Sequence, residues 1–224
     1  HGPLGYAPQG PRPPPAGGRR LLPGGTRERS RHDTSGLLVV AKTDASHRVL
    51  SSALAARRVT RRYVAVCWGH LHADTLTVDQ PLARDPRDRT RMAIVQGGKA
   101  ARTDFVRLAR FDSVDLLRAH LHSGRTHQIR VHLASVGHPV IGDDTYGGGG
   151  GRKLAALPPR RHFLHAAWLR FVHPVSGEVV DLRSPLPPDL RQSLAVLSGM
   201  PELASTHDPL DVFGFYQLQD GQTG

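Results

Sequence analysis

A strand that runs almost directly into a helix, over residues 114–139, constrains the fold more than any other part of the chain. Residues 114–122 alternate between two faces, one of which carries Leu117, Ala119 and Leu121. From about Thr126, apolar residues recur at the spacing of one helical face, and Gly137 ends this helix before Pro139. The segment therefore predicts a fold in which helices pack against strands.

The other predicted elements are mostly strands. An apolar run at 37–41 predicts a buried strand, a helix capped by Asp44 or Ser46 follows it, and residues 63–68 predict a central strand. Further strands are predicted at 75–80, 91–95 and 101–109, a hairpin at 162–173 and 178–183, and a last helix at 188–198. Several largely antiparallel strands with a few flanking helices define an α+β fold.

The two ends of the chain differ from this pattern. Residues 1–32 are rich in Pro, Gly and charge, without helical or strand periodicity, and we interpret them as a disordered or non-authentic segment. A dense, regular sequence follows from residue 33 to residue 198, which we interpret as one domain. Residues 199–224 predict an irregular tail.

The charge balance favours a polyanionic partner. The chain has 30 Lys and Arg against 19 Asp and Glu, a net charge of +11, which suits nucleic acid. Only three of the basic residues are Lys, so a genome that encodes Arg where others encode Lys is a second explanation. The one cysteine, Cys67, excludes an intrachain disulfide. Without a signal pattern or an apolar run of about 20 residues, we expect a cytoplasmic protein that does not enter a membrane.

Several segments, in the same order, resemble the RluA/RluD family of RNA pseudouridine synthases. They are Thr34–Thr43 (TSGLLVVAKT), Val59–Ala65 (VTRRYVA), Gly98–Ala100 with Thr103, Gly124–Leu133 (GRTHQIRVHL), and Gly137–Asp143 (GHPVIGD) with Tyr146–Gly147. Shorter matches are Leu164–Ala166 and His173–Pro174. The resemblance implies the pseudouridine synthase catalytic fold, with an apparently incomplete N-terminus, since no earlier strand with its Lys-Pro segment is recognisable.

The resemblance implies an isomerase that converts uridine to pseudouridine in structured ribosomal or transfer RNA, without metal or organic cofactor. Its site consists of an Asp, a Tyr and an Arg, and Tyr63 and Arg125 match the last two. A flipped pyrimidine needs a flat apolar face, which a Tyr ring supplies together with a hydroxyl for proton transfer. A guanidinium keeps the Asp ionised and oriented.

The Asp of the family is the uncertain member of this site. It normally lies in a His-Arg-Leu-Asp sequence, with two further residues between the Asp and Thr-Ser-Gly, and an ungapped match to Thr34 places Arg31 at the position of the Asp. The nucleophile is then absent, and the chain is a catalytically inactive RNA-binding relative. A two-residue deletion would instead make Asp33 the catalytic residue. Both alternatives stay open at the level of sequence.

Within the same motifs, basic and polar residues are candidates for RNA contacts. They are Arg61, Arg62, Lys99, His127 and Arg130. His120 and His122 share one strand face, but with no neighbouring Cys or carboxylate in the sequence we expect no metal site. RNA is thus the only partner implied, and no protein partner follows from the sequence.

Overall fold

The computed structural model describes residues 34–217 and the backbone of a strand at Leu4–Gln9. The strands are β1 (Leu4–Gln9), β2 (Ser35–Ala41), β3 (Thr60–Trp68), β4 (Thr75–Asp79), β5 (Leu82–Arg84), β6 (Met92–Ile94), β7 (Arg102–Arg110), β8 (Val114–Leu121), β9 (Leu164–Val172) and β10 (Val179–Arg183). The helices are α1 (Asp44–Ala55), α2 (Gln128–Ser135), α3 (Gly151–Leu154) and α4 (Pro188–Ser198). In the described part of the chain, no helix has both the length and the apolar character to cross a bilayer.

The main sheet has eight strands in the order β1-β2-β9-β3-β8-β7-β4, with β10 also paired to β9. The β2–β9 pair is parallel and the other pairs are antiparallel, while β5 and β6 form a separate two-stranded sheet. This mixed sheet with a few helices confirms the predicted α+β class.

Helices cover the sheet on both sides, because alternate residues of the central strands are apolar on both faces. Ala65 and Cys67 of β3 pack in the same core as Ile129 and Leu133 of α2. The other face packs against α4 and the chain that follows it. The central strands are therefore buried on both sides, and functional groups on them must lie near strand ends or at gaps between helices.

Local sequence explains the helix ends, with two differences from the predictions. The side chain of Thr43, rather than Asp44 or Ser46, caps α1 by accepting a hydrogen bond from the Ser46 backbone N–H at 3.2 Å. Helix α2 begins at Gln128 rather than near Thr126, because His127 has a left-handed backbone with φ 55°. The sequence pattern shows the apolar face of a helix but not the backbone twist that precedes it.

The predicted irregular tail after residue 198 is part of the packed domain as far as Gln217. Two short 3₁₀ helices form at Pro201–Ala204 and Asp211–Phe213, and their neighbourhood buries large apolar side chains. These are Leu203, Leu210, Phe215 and Tyr216. The apolar residues of this segment are spaced singly, so they produced no periodic signal in the sequence.

At the other end, six residues differ from the interpretation of 1–32 as a disordered segment. The strand Leu4–Gln9 pairs antiparallel with β2, from Leu4 opposite Ala41 to Gln9 opposite Gly36. The backbone of β2 pairs with β9 through Ser35 and Gly36, so most backbone groups of β2 can pair with another strand, whatever that strand's side chains. The rest of residues 1–32 lies outside the described residues.

Candidate active site

The tyrosine of the motif lies in the middle of the sheet, on β3. Its cross-strand neighbours are Ala119 on β8 and Ala166 on β9, so small side chains flank the ring on both sides. A cavity of about 200 Å³ opens beside Tyr63, mostly lined by apolar residues of β2, α1 and β9. This volume is several times the ~30 Å³ of a water molecule. The site therefore offers an apolar space next to a phenol.

Arg61 connects the tyrosine strand to the glycine of the second motif. It lines the same cavity as Tyr63. Its Nη1 lies so close to Gly124 that a Cβ at this position would be only 2.6 Å away, so the glycine makes room for the guanidinium. Burial lowers the pKa of Arg61, and the neighbouring Tyr63 opposes this shift. Its buried Nε has no hydrogen-bond partner among the described residues, which leaves a donor available next to the cavity.

A buried amide holds the loop that carries Arg125. The Oε1 of Gln128 accepts hydrogen bonds from the Arg125 backbone N–H at 3.0 Å and from the Ser123 hydroxyl at 2.8 Å. Its Nε2 donates to the Arg102 carbonyl and to Thr103 Oγ1, both at 2.9 Å. Two hydrogen bonds of the Gln128 side chain therefore hold the loop and two hold β7, so this side chain links the loop to the strand.

The same network continues through His132 and defines its protonation. His132 Nε2 faces the Gln80 carbonyl at 3.1 Å, so this nitrogen carries the proton, and Nδ1 accepts from the Thr103 hydroxyl at 2.9 Å. Burial lowers the pKa of His132, in agreement with a neutral ring. His132 therefore supports the loop from within the core and does not face RNA.

The side chain of Arg125 itself is only partly buried. Its Nε donates to the Ala100 carbonyl at 3.0 Å, which joins the Gly98–Ala100 segment to the arginine loop. Lys99, next to that carbonyl, has an exposed side chain while its backbone pairs with Leu82. Two motifs that are distant in sequence thus present Arg125 and Lys99 on one exposed region.

Asp33 lies outside the described residues, but the residues after it are well placed. Thr34 Oγ1 contacts His162 Nε2 at 2.8 Å, and Ser35 Oγ contacts His165 Nδ1 at 2.8 Å. Gly36 pairs with Ala166, which in turn pairs with Tyr63. The start of β2 therefore lies two strand spacings, about 10 Å, from the tyrosine backbone.

Two of the predicted RNA contacts, Arg62 and Arg130, have buried side chains in the structure. Successive residues of a strand point to opposite faces, so Arg62 faces away from Arg61 and Tyr63. It donates to the Gln217 carbonyl at 2.6 Å and lies over the Trp168 ring. Arg130 forms two hydrogen bonds with Asp143, at 2.6 and 2.7 Å. Burial in the core leaves neither arginine exposed for contact with RNA.

The Arg130–Asp143 pair organises the segment after α2. Asp143 also accepts the backbone N–H groups of Thr145 and Tyr146, and Arg130 lies over the Tyr146 ring at 4.9 Å. Burial alone would raise the pKa of Asp143, but the hydrogen bonds and charge of Arg130 hold it below its usual value. His127 Nδ1 contacts the Tyr146 hydroxyl at 2.9 Å, which gives this predicted RNA residue a structural contact as well.

The structure also brings a carboxylate to the histidine pair for which the sequence offered none. Asp104 lies opposite His120 in the β7–β8 register, and its Oδ2 contacts His122 Nε2 at 2.5 Å. The expectation that no carboxylate completes this pair is wrong, because the register between β7 and β8 is a tertiary feature. The alternation of β7 could have indicated the face of Asp104, but not its partner.

Known proteins resemble this chain in sequence and in fold. A family model described as RNA pseudouridylate synthase matches residues 29–135. The solved structure of human RNA pseudouridylate synthase domain containing 1 superposes with a TM-score of 0.61 and 33% identity, covering 81% of this chain and 80% of that one. The solved structure of human RNA pseudouridylate synthase domain containing 4 has 23% identity and a TM-score of 0.58, covering 73% of this chain and 72% of that one. At this identity, the similarity shows the fold alone.

Bacterial relatives are more similar in sequence. An uncharacterized RNA pseudouridine synthase of Chloroflexus aurantiacus is 44% identical over 190 residues, 85% of this chain and 57% of the relative. The ribosomal large subunit pseudouridine synthase D of Escherichia coli is 42% identical over 173 residues, 74% of this chain and 53% of the relative. The chain belongs to the RNA pseudouridylate synthase family, and its resemblance to the RluA/RluD group is confirmed. It spans a little over half the length of these two relatives.

Proposed function

We propose that this chain is an RNA pseudouridine synthase that isomerises a uridine of large-subunit ribosomal RNA. One observation carries the proposal: Arg61 lines the cavity beside Tyr63 and at the same time contacts Gly124, next to Arg125. This contact supports the assignment of Tyr63 and Arg125 to one site. The names of the bacterial relatives favour ribosomal RNA over transfer RNA as substrate.

The chemistry assigns a task to each group of this site. The bond between ribose C1′ and N1 of uracil breaks, the base turns, C1′ bonds to C5, and the C5 proton is lost while N1 gains one. The Tyr63 ring packs against the displaced base, and its hydroxyl takes part in proton transfer. Arg125 pairs with the carboxylate that acts on the ribose–base unit. Arg61 and Lys99 are the proposed contacts to RNA phosphates.

Asp33 is the candidate for that carboxylate. The family match begins at residue 29 and so includes it, and the adjoining Thr34 is attached to His162. We further propose a catalytic domain that runs from residue 33 to at least Gln217, acting in the cytoplasm, where its RNA substrate lies. Of residues 1–32, the strand Leu4–Gln9 adds to the edge of this domain's sheet by pairing with β2.

Chemical labelling of pseudouridine tests the proposed activity. Unmodified transcripts of large-subunit ribosomal RNA and of transfer RNA are incubated with the full chain, labelled with a carbodiimide and mapped by primer extension. We expect product at one uridine of the ribosomal transcript. If pseudouridine forms only in the transfer RNA transcript, transfer RNA and not ribosomal RNA is the substrate. If no pseudouridine forms although the chain binds RNA, the chain is an inactive relative.

Three variants then test the roles of the residues. Asp33→Asn should abolish product if this carboxylate is the catalytic one, since losing such a group costs orders of magnitude in rate. Tyr63→Phe keeps the stacking ring and removes only the hydroxyl. Arg170→Ala, an exposed arginine of β9 outside the site, is the matched control and should leave the rate unchanged. An unchanged rate in Asp33→Asn would contradict the assignment.

A further inference from the structure

A cluster of two histidines and one aspartate lies on the face of the sheet opposite Tyr63. Tyr63 faces Ala119, so the adjacent His120 points to the other side of β8, and His122 follows on that same side. Register places Asp104 of β7 opposite His120. One nitrogen of each histidine and one oxygen of Asp104 lie within 4.8 Å of one another. We propose that Asp104, His120 and His122 bind a divalent transition-metal ion, with zinc as the reference ion.

The three donors fit the size of such an ion. Imidazole nitrogen and carboxylate oxygen bind zinc at about 2.0–2.2 Å, so two ligands of one tetrahedral ion are about 3.4 Å apart. The three donor atoms lie within 4.8 Å of one another, so binding requires each pair to close by at most about 1.4 Å. The two imidazole rings already lie with centroids 4.6 Å apart. Three protein ligands leave a fourth position for water, the usual arrangement of an open zinc site.

Neighbouring groups hold the carboxylate in a ligating orientation. Oδ1 of Asp104 accepts from the Thr77 hydroxyl at 2.8 Å and from Arg102 Nε at 3.3 Å, and Oδ2 is left facing His122. Ligating carboxylates in metal sites are commonly oriented by such outer hydrogen bonds.

Charge and access define which ions suit the cluster. The guanidinium of Arg102 opposes a cation, so the site should favour ions that gain most from imidazole, such as Zn²⁺ and Cu²⁺, over Mg²⁺ and Ca²⁺. The side chains of His122 and Asp104 are 18% and 28% exposed, which leaves a path for entry. Because His122 directly precedes Ser123, a bound ion would also fix the strand end from which the Arg125 loop begins.

Metal titration of the full chain, after treatment with a chelator, tests the proposal. Calorimetry with Zn²⁺ should show one site per chain, whereas Mg²⁺ should show none. His120→Ala, His122→Ala and Asp104→Asn should each weaken binding by about 100-fold or more, since even losing an outer partner costs about 10–100-fold. Thr77→Val, which removes only the outer hydrogen bond, should weaken it by about 10-fold.

His47→Ala is the matched control, because His47 is an exposed histidine of α1. The affinity of the His47→Ala variant for Zn²⁺ should equal that of the unaltered chain. Binding of unchanged strength in His120→Ala or Asp104→Asn would locate the ion at other histidines and overturn the proposal. Absence of any Zn²⁺ binding would reduce the cluster to a hydrogen-bonded ion pair, which also overturns it.

The visible spectrum of Co²⁺ provides a test that needs no variant. Co²⁺ bound at the cluster, with two nitrogens and one carboxylate in a four- or five-coordinate site, absorbs far more strongly than the hexaaquo ion. The unaltered chain should therefore develop intense bands at one equivalent and lose them on addition of Zn²⁺. If a variant loses its native circular dichroism and so cannot be interpreted, the Co²⁺ spectrum of the unaltered chain tests the proposal by itself. A spectrum as weak as that of the hexaaquo ion would overturn the proposal. Neither measurement depends on the proposed isomerase activity.

Discussion

Two arginines of one motif, Arg125 and Arg130, have opposite environments. Arg125 lies in a partly exposed loop, where its Nε is bound to a single carbonyl. Arg130 lies in α2, buried, and forms a two-bonded ion pair with a buried carboxylate. The loop therefore leaves the Arg125 guanidinium partly open to solvent, while the helix uses the same kind of charge to stabilise the domain. One motif thus combines an arginine that can meet a ligand with one that is buried in the fold.

Removing the exposed arginine should have the largest effect on activity and little on stability. Arg125→Ala should lower kcat by about 10³-fold or more, roughly 4 kcal/mol of transition-state stabilisation, because the catalytic carboxylate loses its partner. Its free energy of unfolding should change by no more than about 0.5 kcal/mol. Single-turnover pseudouridine formation and urea unfolding measure the two quantities. A loss of stability as large as that of an Arg130 variant would break the comparison.

Removing the buried arginine should have the reverse pattern. Arg130→Ala leaves Asp143 buried without its partner, so the free energy of unfolding should fall by about 3–5 kcal/mol. The double variant Arg130→Met with Asp143→Leu removes both charges and should recover much of that loss. Chemical denaturation of the three proteins checks this. If the double variant is as unstable as the single one, the ion pair is not what holds this segment.

Acid should destabilise the buried region through its histidines. Burial, reinforced by the charge of Arg130, lowers the pKa of His162 to about 3, and burial lowers that of His165 to about 4. An unfolded histidine titrates near 6.5, so below that pH the unfolded chain binds more protons and stability falls. The stabilisation is fully present above pH 6.5 and is lost progressively as pH falls toward 4.

Each of these histidines should contribute a slope of about 1.4 kcal/mol per pH unit across that window. Urea unfolding at pH values between 7 and 4 measures the total slope. His165→Gln can keep the hydrogen bonds to Ser35 and Ser184 without titrating. This variant should therefore lose the contribution of His165 to the slope and keep that of His162. His47→Ala on the surface should leave it unchanged. An identical slope in His165→Gln would show that this ring titrates normally.

Gln128 joins the two regions, and its loss should affect both moderately. Gln128→Leu has a similar size but leaves several buried donors and acceptors of the loop and of β7 unpaired, which costs about 1–3 kcal/mol of stability. It should also lower kcat by about 10–100-fold, since a displacement near 1 Å of a catalytic group has that effect. A kcat loss without any stability loss would mean that the amide acts on the substrate directly.

The smallest effect is expected at the edge of the exposed region. Lys99→Ala should weaken RNA affinity only a few-fold and reduce the slope of log affinity against log salt by about one. Filter binding across salt concentrations measures that slope, and Lys42→Ala on the far end of β2 is its control. A slope that does not change would remove Lys99 from the RNA surface.

Much of the fold was readable from the sequence, and the reasons are local. The alternation of β8 and the apolar runs of β2 and β3 identify strands, because side-chain direction in a strand has a period of two. The short strand β5 and the packed tail to Gln217 were not predicted, since three residues or singly spaced apolar side chains carry no period. The left-handed His127 likewise depends on the contacts of its loop rather than on its residue type.

The site was predictable only where a motif marks it. Tyr63 and Arg125 came from the resemblance, and Arg61, which lines the cavity beside Tyr63, lies against Gly124 next to Arg125. The role of Gln128 was not predicted, because its four partners lie on the loop and on β7. No residue of the sequence near Gln128 shows that a strand about 25 residues earlier will accept its hydrogen bonds.

The sequence by itself determined the family and the class of fold, and it marked a tyrosine and an arginine as candidate site residues. Only the tertiary structure decided which arginines stay partly exposed and which are buried in the core. The physical reason is that local sequence sets the alternation of side chains along a strand, whereas strand order and register decide what each side chain meets. Arg61 and Arg62 are neighbours in sequence, yet one lines the cavity and the other is buried beneath the C-terminal segment. Asp104 meets His122 for the same reason, through a register that no local pattern contains.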